Sequence, residues 1–116
     1  MENTEAKKVN QNVSVKEIIE ATYEKSLECY GIVGFARSDA QLRNDYSPLK
    51  PEKIHHGIQV MKFANGDFDV TLYVLLSAEV KLTETIFECK KIVHYFLNKK
   101  YNNHCRKVNV YAMGVK

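Results

Sequence analysis

Apolar positions along the chain change period several times, and each change marks an element. Ile18, Ile19, Thr22, Tyr23, Ser26, Leu27 and Tyr30 recur at three-to-four spacing, with Lys16, Glu20, Glu24, Lys25 and Glu28 elsewhere, as on an amphipathic helix. Ser14 and Glu17 form an S-x-x-E capping box that starts this helix near Val15, and Gly31 is placed to end it. Residues 32–36 are apolar and glycine-flanked and read as a short buried strand. Residues 37–53 carry Asp39, Asn44, Asp45, Ser47, Pro48 and Pro51 without a sustained period. They predict a long, mobile connection with a helical turn around residues 40–43.

Asn65-Gly66 sits between the runs 57–63 and 68–77, the signature of a hairpin with a two-residue type I′ turn. That loop would pair Phe63 with Phe68, Lys62 with Asp69, Met61 with Val70, Val60 with Thr71, and Ile58 with Tyr73. One face then holds Met61, Phe63, Phe68, Val70, Leu72, Val74 and Leu76 and is assigned to the core. The other holds Ile58, Val60, Lys62, Asp69, Thr71, Tyr73 and Leu75, too apolar for a solvated surface and too polar for a second core.

Thr83 is positioned to cap a second helix, whose stripe is Ile86, Cys89, Val93, Phe96, Leu97 and the stem of Lys100, and Asn102-Asn103 ends it. Val108, Val110 and Ala112 then alternate with Lys107, Asn109, Tyr111 and Met113 in a closing half-buried strand. The element order (β)αββαβ, with a short strand after the first helix and an optional edge strand over residues 9–13, predicts an α+β fold. Two helices would pack on one face of a mainly antiparallel sheet of about four strands, a two-layer sandwich. Residues 1–12 read as a flexible polar segment and residues 13–116 as one domain, which suits the chain's 116 residues.

Composition narrows the function classes. Apolar residues at 45% and charged residues at 27% are those of a folding globular chain. A net charge of +3 is too small to make nucleic acid or an anionic membrane the default partner. Cys29, Cys89 and Cys105 are odd in number and lack C-x-x-C spacing, which fits a reducing cytosol better than a disulfide framework or zinc site. A polar start and the lack of an apolar run near 20 residues predict neither a signal peptide nor a membrane span.

Four stretches taken together resemble the bacterial alkaline shock protein family. They are Leu27-Glu28-Cys29-Tyr30-Gly31-Ile32-Val33-Gly34-Phe35-Ala36, Gly57-Ile58-Gln59-Val60, the long strand over residues 68–76, and Val108-Asn109-Val110-Tyr111-Ala112-Met113-Gly114-Val115. The resemblance spans roughly residues 13–115 and is most specific at the helix-to-strand junction. It differs in the first helix, where Thr22, Tyr23, Glu24 and Lys25 stand in place of small residues. The resemblance implies a small adaptor or scaffold linked to alkaline or envelope stress, without catalytic residues, in some cases held at the membrane by a partner.

The candidate chemistry agrees with a non-enzyme. Cys29 falls at a helix end, where the dipole disfavours a thiolate, and Cys89 on an apolar stripe, so both read as packing residues. His94, His104 and Cys105 lack a spacing that converges on a metal, and His55-His56 has no neighbouring nucleophile or acid at triad spacing. The five glycines never approach a phosphate-binding pattern, so no cofactor is expected. The expected function is a cytoplasmic adaptor or scaffold whose open sheet face, around Ile58, Val60, Tyr73, Leu75 and Tyr111, is covered by a protein partner or a second copy, with membrane association through a partner. The rival is a small RNA-binding module, with Tyr73 and Tyr111 stacking on bases and Lys62, Arg106 and Lys107 meeting phosphates. A metal- or thiol-dependent activity ranks third.

Overall fold

A computed structural model of the chain describes residues 13–116. The polar segment 1–12, and with it most of the edge strand expected over residues 9–13, lies outside the described residues. The elements are α1 (Val15–Leu27), β1 (Ile32–Phe35), a short α2 (Ala40–Arg43), a 3₁₀ turn (Pro51–His56), β2 (Ile58–Lys62), β3 (Phe68–Leu76), α3 (Leu82–Lys100) and β4 (Cys105–Val115). This is the expected α+β class.

Ser14 starts α1 as its sequence suggests, its hydroxyl accepting from the Glu17 amide at 3.1 Å. The helix ends at Leu27 with Glu28 as its cap, earlier than Gly31. Gly31, at φ +92°, instead turns the chain into β1, so Leu27 and Tyr30 leave the core stripe and are exposed. Helix α3 begins at Leu82 after an extended Lys81, whose carbonyl accepts from the Thr85 amide at 2.9 Å. Thr83 is therefore inside the first turn and is not the cap. Thr85, Cys89, Val93 and Leu97 are buried along α3, with Ile86 and Phe96 at the margin.

Strand β3 is the centre of the sheet. β1 and β2 follow one another antiparallel along one side of it, β1 beside Val74 to Leu76 and β2 beside Phe68 to Leu72, and β4 runs parallel along the other side. The parallel pairing follows from α3, which carries the chain from the end of β3 back to its start. Phe68, Val70, Leu72, Val74 and Leu76 point from β3 toward α1 and α3 and form the main core with Ile18, Phe35, Val93 and Leu97.

The hairpin corrects the expected register by one residue. Only Gly66 in the loop has positive φ, at +95°, whereas a type I′ turn needs two such residues. The Phe63 amide donates to the Asp67 carbonyl at 2.8 Å and the Gly66 amide to the Phe63 carbonyl at 3.0 Å, which closes a three-residue loop. β2 therefore pairs Lys62 with Phe68, Val60 with Val70 and Ile58 with Leu72. Because side chains alternate, this shift exchanges the faces of the whole of β2. Ile58, Val60 and Lys62 join the helix-covered side, while Met61 and Phe63 move to the other.

Candidate sheet-face site

The side of the sheet away from α1 and α3 has two halves. Its β1 end is sealed by the connection 36–57. Leu75 is fully buried there in a second small core with Ala36 and Ala40, and Met113 packs against it. The connection is anchored by the Leu49 amide on the Phe35 carbonyl and the Ser38 amide on the His56 carbonyl, both at 2.8 Å.

The other half remains uncovered among the described residues. Tyr73 and Tyr111 are direct neighbours in the β3–β4 ladder, and their rings stack with centroids 5.5 Å apart and planes 24° from parallel. Tyr111 is 52% exposed and Met61 63%. The Tyr73 hydroxyl donates to Gln59 Oε1 at 3.2 Å, and burial, followed by the nearby Tyr111, raises its pKa. Thr71 faces Asn109 in the ladder, with the Asn109 amide reaching Thr71 Oγ1 at 3.5 Å.

Toward the hairpin the face becomes charged. Asp69 pairs with Lys107 in register and lies 3.5 Å from the Arg106 guanidinium. That is an ion pair without hydrogen-bond alignment, leaving Asp69 Oδ1 buried and without a hydrogen-bond partner. The guanidinium also lies 4.5 Å over the Phe63 ring. In the hairpin loop, His104 Nδ1 meets Asp67 Oδ1 at 2.9 Å, which holds the Asp67 carboxyl below its ordinary range.

Of the expected interaction residues, Tyr73 and Tyr111 lie on the uncovered face. Ile58 is fully buried and Val60 packs against the main core, both turned over by the register shift. Leu75 has the expected face, but the 36–57 connection covers it. Of the basic contacts, Arg106 and Lys107 stay beside the tyrosines, whereas Lys62 is on the helix side and donates to the Val13 carbonyl at 2.7 Å. The two-residue loop expected from the sequence put Met61 and Phe63 on the core face, and the three-residue loop puts them on the uncovered one. Their signal was present in the alternation Ile58, Val60, Lys62 against Gln59, Met61, Phe63, which the loop length alone assigns to faces.

The remaining reactive side chains are placed as follows. Contact with Cys29, together with burial, holds the Cys89 thiol protonated. Burial, aided by Asp69, pushes the Cys105 thiol up to about 12. His94 Nε2 meets the Cys105 carbonyl at 2.9 Å, and Asn98 Oδ1 accepts from the Cys105 amide at 2.8 Å. The His55 and His56 rings pack together 4.1 Å apart. Among the described residues no three His, Cys, Asp or Glu side chains converge as metal ligands, and no helix is long and apolar enough to cross a membrane.

The chain is similar to the uncharacterized protein YloU of Bacillus subtilis (strain 168). The two are 28% identical over 92 residues, covering 78% of this chain and 75% of the relative. No family model and no solved structure matches the chain.

Proposed function

We propose that this chain is a non-enzymatic adaptor or scaffold of the alkaline-shock type, acting through protein–protein contacts on its uncovered sheet face. The observation that carries the reading is the stacked Tyr73–Tyr111 pair on that face, with the exposed Met61 farther along the same side, opposite Asp69. Tyrosine offers a large rigid surface with a polar end, which suits it to anchor a contact that also exists free in water. Thr71 and Asn109, and beyond them Asp69, border the pair with polar groups on its hairpin side, as at the rim of an interface. A cytoplasmic location, a role in envelope stress and attachment to the membrane through a partner belong to the same proposal and rest on the family resemblance.

The rival reading is a small RNA-binding module, favoured by the placement of the same tyrosines on an open sheet beside Arg106 and Lys107. Asp69 opposes it by holding Arg106 and facing Lys107. Molar mass by light scattering, at several concentrations and with a short mixed-sequence RNA, separates the two. The adaptor reading expects a concentration-dependent dimer or larger species indifferent to RNA, reduced to monomer by Tyr111→Asp with the melting temperature kept. A monomer that shifts on adding RNA, with an affinity that falls with salt, transfers the function to nucleic acid. A monomer under all conditions removes self-association from the proposal.

A further inference from the structure

Strand β4 is an edge strand, and its outer side faces a basic groove. Among the described residues it pairs only with β3, leaving the other row of backbone donors and acceptors without a strand. Natural edges are usually blunted by bulges, charges or a covering element. Here the devices sit at the ends. Register irregularities fall at Arg106 and Met113, and His94 and Asn98 of α3 occupy the carbonyl and amide of Cys105. Between these ends the stretch 107–112 runs in regular register with β3.

Alongside it lies a groove of about 320 Å³ between α3 and β4, lined by Phe87, Lys90, Lys91, His94, Arg106, Lys107, Val108 and Asn109. No carboxylate lines it. Two of its cations are partly engaged outside the groove, Lys91 with Glu88 at 3.7 Å and Arg106 with Asp69 at 3.5 Å. Lys90 and Lys107 have no carboxylate within ion-pair distance among the described residues.

We infer that the outer edge of β4 is a docking site for an extended acidic segment of a partner protein, which adds a strand to the sheet and lays its carboxylates against Lys90 and Lys107. The free backbone row selects a polypeptide, because strand addition draws its binding from main-chain hydrogen bonds. Lys90, and Lys107 whose ladder neighbour Asp69 is turned to Arg106, select acidic side chains on that polypeptide. A second copy of this chain is disfavoured as the occupant, since pairing two β4 edges adds Arg106, Lys107 and Lys116 to the same positive surface. The site borders the Tyr73–Tyr111 face, with which it shares Arg106 and Lys107, and it makes no use of the two tyrosine rings.

The test uses the full chain and two fluorescent peptides about ten residues long, a length that covers one strand. One alternates glutamate and threonine. The other has the same glutamates, with proline in place of threonine so that alternate amides are lost. The inference expects the first peptide to bind and the second to bind at least about tenfold more weakly. The variant Lys90→Glu/Lys107→Glu should lose at least about tenfold for the first peptide while keeping its melting temperature. Binding should slow amide hydrogen exchange at alternate residues of the 108–112 stretch, and Tyr73→Ala, which alters the open face from β3 and leaves the β4 strand intact, should keep the affinity. Equal binding of both peptides means a purely electrostatic surface and overturns the inference. So does the absence of binding at millimolar peptide, or an oligonucleotide of equal length that binds more tightly and displaces it. A dimer strengthened by the double charge reversal would assign the edge to a second copy.

Discussion

Replacing Leu75 by alanine tests whether the 36–57 connection truly closes one end of the sheet. Leu75 is fully buried, with Gly34 and Gly114 as its ladder neighbours on β1 and β4. Its two methyl groups fill the space over those glycines. A Cβ added at Gly34 would lie 3.8 Å from Leu75 Cδ1, and one at Gly114 would lie 3.3 Å from Cδ2. Ala36 and Ala40 share this small core and are too short to fill a vacated volume, so its collapse would depend on Met113, which packs against it. Buried leucine-to-alanine changes cost about 2–5 kcal/mol, with the larger values where the surroundings cannot collapse. The expected loss is therefore about 3–4 kcal/mol, a large fraction of the roughly 5–15 kcal/mol that holds a domain together. In urea this shifts the midpoint by about 2 M with the slope unchanged. Met61→Ala, on the uncovered half, should change stability by no more than about 0.5 kcal/mol. A loss below about 1 kcal/mol at Leu75 would refute the sealed end and return that position to the exposed face.

Gly57→Ala should also destabilise, because a Cβ there would stand 2.5 Å from the Ala36 carbonyl oxygen and 2.8 Å from Leu49 Cδ1. Overpacking against backbone costs about 1–3 kcal/mol, read by the same urea titration. Stability should fall as pH rises from about 9 toward 12. The folded state raises the Cys105 thiol from 9.0 to about 12, mainly by burial, and the Tyr101 hydroxyl from 10.0 to about 12 by burial and by Glu17. Each is an acid kept neutral by the fold, so its contribution is complete below its unfolded pKa and disappears as pH climbs to its folded one. Urea midpoints across that range check this, and Cys105→Ala should flatten the decline.

The elements whose burial depends on their own period were legible in the sequence. α1 and α3 showed their stripes, and β3 showed its core face because Phe68, Val70, Leu72, Val74 and Leu76 are all apolar. β2 gave no such preference. Ile58, Val60, Met61 and Phe63 place apolar side chains on both faces, so a single residue of loop length chose between them. The Asn-Gly dipeptide fits both loops, and here Asn65 uses its side chain to accept from the Asp67 amide at 2.9 Å while Gly66 alone takes the left-handed position. Leu75 was illegible for another reason. Its cover comes from a stretch without periodicity, whose place over the sheet is set by Ala36, Ala40 and Pro48. The direction of β4, by contrast, was available from the helix between it and β3, since such a crossover returns the chain to run parallel.

These corrections change the kind of contact the proposed adaptor makes. With Ile58, Val60 and Leu75 inside, the uncovered face loses three aliphatic residues and gains Gln59, Met61 and Phe63, which join Asp69, Thr71, Asn109 and the two tyrosines in a mixed surface. Obligate interfaces are apolar through their centres, whereas interfaces that open and close concentrate binding in a few anchors within a polar surround. A covering chain on this face would leave Asp69 deeply desolvated, already without a hydrogen-bond partner on Oδ1, unless it brought a donor to that oxygen. The partner that fits is thus one that grips Tyr73 and Tyr111 and supplies a hydrogen-bond donor beside them. That description favours reversible assembly over a permanent complex.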